Sequence, residues 1–223
     1  MPERAVPPSR KGVERKAQIL DAALAVIGRD GLGRLTMRGL ATEAGIPLGA
    51  LSYYFAGKDV LILESFQAHS QRELRRVMRS VSSIGTAGSA ADLATALAEF
   101  AIDGLVEAQL ELVAEYEYLL EASRRPELAR ASSAWQQSLQ ALLAEVVGRL
   151  GAVDPEADAR VIMSAMAGVE VDNLTGTAPT ASQRETIRRT MARLLEALSL
   201  TWQVESPNAS RTDPIARTEG ARA

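Results

Sequence analysis

The chain has 223 residues, of which 47% are hydrophobic and 24% are charged, a balance typical of globular proteins. It contains no cysteine and one histidine, His69, which excludes disulfides, thiolate metal sites and multi-histidine metal sites. The sequence shows no apolar run near the roughly 20 residues of a membrane span and no secretory signal, so we expect a cytoplasmic protein without a membrane partner.

The charge is unevenly distributed along the chain. Residues 1–58 carry nine Lys or Arg and five Asp or Glu, whereas residues 59–204 carry thirteen and twenty. Such a basic first quarter on an otherwise acidic chain indicates that one end meets a polyanion. Plentiful Ala, Leu and Glu, with few β-branched and aromatic residues, favour an all-α protein.

The first 58 residues predict an arm and three helices. Residues 1–12 contain three prolines and three basic residues. They predict a flexible arm, which is either an unstructured terminus or a basic arm that reaches DNA. After a helix over about 13–28, Thr36 is a good N-cap, Gly45 suits a left-handed helix end, and Pro47 starts a second short helix. Two short helices around such a turn indicate a helix-turn-helix unit, and an ordinary helical hairpin is the alternative.

The rest of the chain predicts six longer helices, which brings the total to about nine. They cover approximately 59–81, 89–108, 110–124, 126–150, 154–174 and 182–202. Asp154 followed by proline marks a helix start, and two pairs with capping-box spacing, Ser89 with Asp92 and Ser182 with Glu185, mark two others. Residues 205–223 lack apolar periodicity and predict a disordered tail.

One block of the sequence resembles the tetracycline-repressor (TetR) family of bacterial transcriptional regulators. It runs Leu35-Thr36-x-Arg38-x-Leu40-Ala41-x-x-Ala44-Gly45-Ile46 and then Gly49-x-Leu51-x-Tyr53-Tyr54-Phe55-x-x-Lys58-x-x-Leu61. The resemblance covers about 50 residues, and the remainder matches only in being helical and variable. It implies a helix-turn-helix DNA-binding domain at 13–58 and a helical ligand-binding and dimerisation domain at 59–204.

The resemblance further implies a homodimeric repressor that binds a palindromic operator and is released by a small molecule. A transcriptional activator or a ligand-independent regulator of the same family is the alternative. We expect ligand binding to shift the long helix at 59–81, which moves the short helices joined to it. Such a ligand has to bind one of two conformations better than the other.

The DNA contacts follow from the resemblance and from the residue types. Thr36 and Lys58 match phosphate-contacting positions and Tyr53 matches a contact position, whereas Ser52 and Tyr54 stand where tyrosine and histidine are commoner. The turn at 47–51 has no Arg, Asn or Gln to bind purine edges, so we expect Arg38 and DNA shape to provide specificity. The expected DNA-binding residues are Thr36, Arg38, Leu48, Gly49, Ala50, Ser52, Tyr53, Tyr54 and Lys58.

A small-molecule cavity is expected among the middle helices, and plain core packing is the alternative for each candidate. Tyr116 and Tyr118 point to nearly opposite helix faces, so at most one lines a cavity. The glutamates at 111, 115, 117 and 121 either form a solvated face or select a cation. The ligand candidates are Phe66, Ser70, Phe100, Tyr116, Trp135 and Met166, with Asn173 as a polar anchor.

The last two helices carry more apolar residues than one bundle edge needs to bury, which predicts a dimer interface. Its expected members are Met163, Gly168, Ile187, Met191, Leu194, Leu195 and Leu198. No nucleophile–base pair, phosphate loop or metal cluster is visible, so we expect a protein that is not an enzyme and that binds no cofactor or metal. A ligand-binding protein without DNA activity and a helical scaffold are the other competing classes.

Overall fold

A computed structural model describes residues 10–82, 84 and 88–202, and in this part of the chain the regular elements are helices without strands. The all-α prediction is therefore confirmed. The predicted tail and residues 1–9 of the predicted arm lie outside the described residues, and residues 10–12 belong to the first helix. The nine α-helices of the described part are α1 (Arg10–Asp30), α2 (Met37–Glu43), α3 (Leu48–Tyr54), α4 (Lys58–Ser82), α5 (Ala90–Glu107), α6 (Gln109–Ala122), α7 (Pro126–Arg149), α8 (Pro155–Asn173) and α9 (Ala181–Ser199).

The turn between α2 and α3 forms through the signals seen in the sequence. The Thr36 hydroxyl accepts a hydrogen bond from the backbone N–H of Gly39 at 3.0 Å, which caps α2. Gly45 has a φ of 61°, the left-handed conformation that glycine adopts without strain. Pro47 was predicted as the first residue of α3 but is its N-cap, so the helix begins one residue later, at Leu48.

The helix starts of the C-terminal half show one wrong prediction. The capping box of Ser89 and Asp92 is present, and the Asp154 carboxylate accepts from the backbone N–H of Ala157 at 3.1 Å. However, α9 begins with a capping box of Thr180 and Gln183 instead of Ser182 and Glu185. Glutamine serves as well as glutamate at the third helical position, so both pairs fit the same pattern and the sequence did not separate them.

Two apolar cores organise the molecule. The first core, which we call the head core, joins α1, α2 and α3 to the first halves of α4 and α7 and to α6, and includes Leu40, Leu51, Phe55 and Phe66. The second core lies among α5, α7, α8 and α9. We call the α1–α3 unit the head and the α5–α9 unit the body, with α4 connecting them. Within the described residues, no helix is both long enough and apolar enough to cross a membrane.

The head contacts the body through α6 as well as through α4. Gly28 of α1 lies so close to α6 that an added Cβ would be 2.0 Å from the carbonyl oxygen of Leu110. The backbone N–H of Leu32 donates to the Glu117 carboxylate at 3.0 Å. The Tyr118 hydroxyl, fully buried, donates to Ser65 of α4 at 2.7 Å. A movement of α6 would therefore displace the head directly.

Candidate nucleic-acid interface and internal cavity

The outer face of the head presents most of the expected DNA-binding residues to solvent. Tyr53 is 84% exposed, whereas Leu51 and Phe55 on the opposite side of α3 are buried in the head core. This division places one side of the short helix against the protein and leaves the other free for a partner. Six of the nine expected residues are exposed and three are half-buried; the exposed ones are Thr36, Arg38, Leu48, Gly49, Ser52 and Tyr53, and the half-buried ones are Ala50, Tyr54 and Lys58.

Two polar side chains on this face differ in their availability. The Arg38 guanidinium has no hydrogen-bond or ion-pair partner among the described residues, so its donors are free for a base edge or a phosphate. In contrast, the Ser52 hydroxyl donates to the backbone oxygen of Leu48 at 3.1 Å. A phosphate would have to compete with that internal bond. Arg38 is therefore better prepared than Ser52 to bind DNA.

The start of α1 borders the same face. Lys11, Arg15, Lys16, Tyr53 and Tyr54 line one groove between α1 and α3. The Lys16 ammonium lies 2.5 Å from the Glu64 carboxylate, which offsets its charge. Basic side chains at a helix N-terminus oppose the helix dipole, and a bound phosphate would relieve that repulsion. The groove thus extends the positive edge of the head beyond the helix-turn-helix itself.

A cavity of about 530 Å³ lies between the second half of α4 and helices α5 to α8. Four of the seven ligand candidates line it, namely Phe100, Tyr116, Trp135 and Met166. Tyr118 points the other way, into the head core, as the spacing of the two tyrosines predicted. The cavity volume is within the ordinary range for a drug-sized ligand.

Three ligand candidates lie elsewhere, which corrects the prediction. Phe66 is fully buried in the head core, with its ring centroid 5.8 Å from that of Trp135. The Ser70 hydroxyl donates to the backbone oxygen of Gln67. The Asn173 amide donates to the backbone oxygen of Val169 at the end of α8. The apolar pattern of a helix identifies its inward residues but does not distinguish those that line a cavity from those that pack in a core.

Three buried or half-buried carboxyl groups line the cavity, and the sequence did not identify them as a set. Glu73 comes from α4, Glu115 from α6 and Glu170 from α8. Glu115 and Glu170 are each 9% exposed, so the solvated-face interpretation is wrong for Glu115. Glu170 accepts from the Tyr116 hydroxyl at 2.8 Å, and Arg76 lies 3.4 Å from Glu73.

Burial changes the acidity of these groups because a charged form is poorly solvated inside the protein. It raises the pKa of Glu115 to about 8 and that of Glu170 to about 7, where nearby Glu115 adds to the effect. The pKa of Glu73 is also raised by burial, although Arg76 opposes the shift. Glu115 and Glu170 therefore hold protons over a range of pH that reaches neutrality.

The only histidine of the chain connects α4 to this acidic cavity. His69 is 2% exposed, and its Nε2 lies 2.8 Å from the Glu115 carboxyl oxygen Oε2. Burial lowers the pKa of His69 while it raises that of Glu115, so both neutral forms are favoured. The contact joins a cavity carboxyl directly to the helix that carries the head.

The predicted dimer residues divide into three groups. Ile187, Met191 and Leu195 are fully buried inside the chain's own second core, so they are not available to a second chain. This corrects the prediction, because their spacing on α9 fits intramolecular packing equally well. Met163 lines the cavity instead of an outer face. Gly168 is exposed, and Leu194 and Leu198 are half-buried.

Two family models match most of the chain. The model of bacterial regulatory proteins of the tetR family matches residues 19–64. The model of the tetracyclin repressor-like C-terminal domain matches residues 88–197.

Solved structures of relatives share the fold. A member of the TetR family from Streptomyces coelicolor is 30% identical, and the match covers 81% of this chain and 98% of that one with a TM-score of 0.64. The multidrug binding protein EbrR complexed with ethidium is 31% identical, with the same coverage and a TM-score of 0.61.

Curated relatives match over shorter stretches. The nicotine-responsive transcriptional repressor HdnoR of Paenarthrobacter nicotinovorans is 32% identical over 118 residues, which are 51% of this chain and 57% of that protein. The transcriptional regulator BetI of Paraburkholderia phymatum is 42% identical over 60 residues, which are 27% of this chain and 30% of that protein. The matches thus span about half, or less, of the length of these relatives.

Proposed function

Because this chain belongs to the tetR family of DNA-binding transcriptional regulators, we propose that it is a repressor controlled by a small molecule. In this proposal, a homodimer binds a palindromic operator and leaves it when a ligand occupies the cavity. The observation that carries the proposal is the cavity of about 530 Å³, whose walls include the two helices that also hold the head, α4 and α6.

The outer face of the head supplies the DNA contacts in this proposal. Arg38 contacts a base edge, Thr36 and Lys58 contact phosphates, and Tyr53 lies against the backbone. The exposure of this face and the unpaired guanidinium of Arg38 support these roles. Apolar residues at the start of α3 offer little hydrogen bonding, so sequence preference depends in part on DNA shape. Half-sites are then separated by one helical turn of roughly 34–36 Å or by a multiple of it.

The dimer interface is proposed on the exposed side of α8, together with α9. Val161, Gly168 and Val171 follow one another at helical spacing on that side, and the two valines are 44% and 54% exposed. A Cβ added at Gly168 would meet no atom of its own chain within 4 Å. A glycine at this position would let two copies of α8 approach closely across a two-fold axis.

The proposed release mechanism uses both helices that connect the cavity to the head. A ligand that contacts Glu73 of α4 and Glu115 or Tyr116 of α6 acts on the two supports of the head at once. Glu117, on the same helix α6, contacts the head at Leu32, and Tyr118 contacts Ser65 of α4. The ligand shifts the equilibrium only if it binds more tightly when the heads are wrongly spaced for DNA. The nicotine response of HdnoR and the ethidium complex of EbrR support a small organic effector.

Transcription in a purified system tests the proposal. The template carries, across its promoter, a site selected from random DNA by the protein itself. We expect added protein to lower the transcript yield. Light scattering of the protein–DNA complex should show two or four chains bound to one site. A rise in transcript yield would instead identify an activator, and one chain per site would contradict the dimer.

A further inference from the structure

We propose that the cavity binds an organic cation that carries an aromatic group, with Glu115 and Glu170 as its anionic contacts. This inference rests on the proposed function, because it names the ligand class of the same regulatory cavity.

Both carboxyl groups have an oxygen that the protein leaves without a donor. The Glu170 oxygen Oε2 accepts from Tyr116, and the Glu115 oxygen Oε2 contacts His69. The other oxygen of each group has no hydrogen-bond donor among the described residues, although both side chains are about nine-tenths buried and line the cavity. A carboxylate oxygen without a donor attracts a cation strongly where solvation is poor, so a cationic ligand beside it gains affinity.

The positive charges of the surrounding helices do not neutralise this pair. On α4, Arg76 is shared between Glu73 and the backbone oxygen of Phe100, at 3.4 and 2.9 Å respectively. Burial lowers the pKa of His69 of the same helix, which favours its neutral form. On α8, Arg160 lines the cavity but is exposed to solvent. In the described part of the chain, no Lys or Arg lies within ion-pair distance of Glu115 or Glu170.

Charges just outside the cavity do not change this balance. Arg72 of α4 pairs with Asp21 of α1, which directs its charge toward the head. Glu111 of α6 adds negative charge near His69. The field inside the cavity therefore remains negative whenever Glu115 and Glu170 are ionised, and a cationic ligand is favoured over an anionic one.

The walls of the cavity indicate an organic cation instead of a metal ion. Tyr116 and Trp135 bring aromatic rings to the cavity, and Met163 and Met166 bring adaptable thioethers. The ring of Phe100 also lines the cavity, but the Arg76 guanidinium already lies 4.2 Å from its centroid. Aromatic faces attract organic cations, and methionine fits ligands of irregular shape. No group of three or more metal-ligating side chains is arranged to hold a metal ion within the described residues. Charge and apolar surface thus select the same class of ligand.

Cation binding should be coupled to proton release. With the ligand absent, burial holds the pKa of Glu115 near 8 and that of Glu170 near 7, so both carry protons at lower pH. A cation favours the ionised carboxylates and lowers their pKa, so protons have to leave when it binds. The affinity is therefore weak at acidic pH and rises as the pH increases through this range.

Calorimetric titration of the full chain with two probes of one shape tests the proposal. Benzyltrimethylammonium is a permanent cation, and neopentylbenzene is its uncharged carbon analogue. We expect the cation to bind more tightly, with an affinity that rises between about pH 6 and pH 9 while that of neopentylbenzene stays constant. Glu115→Gln and Glu170→Gln should each weaken binding of the cation at least about tenfold, because each removes one charge attraction in a poorly solvated site, and should leave the affinity for neopentylbenzene within about twofold.

Glu145→Gln is the matched control, because it removes the same charge from an exposed position on α7 that does not line the cavity. The proposal is overturned if neopentylbenzene binds as tightly as the cation, if the cation does not bind, or if the two cavity variants keep the parent affinity. Sequence-specific DNA binding is measured on the same preparations. If the protein binds DNA but not the cation, only the proposed ligand class is rejected. If it does not bind DNA, the proposed function is rejected.

Discussion

Replacing Gly28 with alanine should separate the head from the body, because α1 and α6 touch backbone to backbone at this glycine. The new Cβ would be 2.0 Å from the Leu110 carbonyl oxygen and 2.7 Å from the carbonyl carbon. An ordinary contact begins at 3.4 Å, so the two helices have to move apart by roughly 1.4 Å. The obstacle is backbone, which has no rotamer that relieves the overlap.

The expected cost follows from two opposing effects. Overpacking of a tight contact costs about 1–3 kcal/mol. Alanine returns up to about 1 kcal/mol, since it is the better helix former. Because the obstacle is backbone, the overpacking cost lies at its upper end, and the net destabilisation of about 2 kcal/mol should lower the melting temperature by roughly 4–8 °C in a chain of this size. Calorimetry measures the melting temperature, and fluorescence anisotropy with operator DNA should show weaker binding because the head has moved.

Gly33→Ala is the control for this prediction. Gly33 lies five residues further along, and a Cβ there meets nothing within 4 Å. It should keep the parent stability and DNA affinity. If Gly28→Ala melts and binds DNA like Gly33→Ala, then α6 does not support the head in the way that the structure indicates.

Two further predictions concern the DNA and dimer surfaces. Lys58→Ala should weaken binding to every DNA sequence and lower the slope of log affinity against log salt by about 1. The control, Arg149→Ala in the body, should leave that slope unchanged. An unchanged slope in the Lys58 variant would reject its phosphate contact. Gly168→Arg should fold, because its own chain leaves space there, and should be monomeric by light scattering, because the arginine would obstruct the proposed interface. The control, Ala141→Arg on the exposed side of α7, should remain dimeric. A dimeric Gly168→Arg protein would exclude that face of α8.

Local signals in the sequence predicted the helix-turn-helix well. The capping of α2 by Thr36, the left-handed Gly45 and the start of α8 at Asp154 depend on a few neighbouring residues, so the chain itself contains the necessary information. The all-α class follows from composition and periodicity for the same reason.

The ligand cavity was predicted only in part, because its charged residues depend on how distant helices cross. The contact of His69 with Glu115 joins residues 46 positions apart, and that of Tyr116 with Glu170 joins residues 54 apart. Periodicity on α6 gave no sign that one of four neighbouring glutamates is buried. Likewise, the apolar stripe of α9 did not show that Met191 packs within its own chain instead of against a second copy.

Operator binding by a dimer is tested most directly by selecting, from random DNA, the sites that the purified protein binds. We expect one enriched motif that is an inverted repeat, with half-sites one helical turn or a multiple apart. The Arg38→Ala variant should relax the preference at the base position that this side chain contacts. If no motif is enriched, the protein is not a sequence-specific DNA-binding regulator. A single half-site without a repeat would contradict the dimer, and unchanged preferences in the Arg38 variant would contradict its base contact.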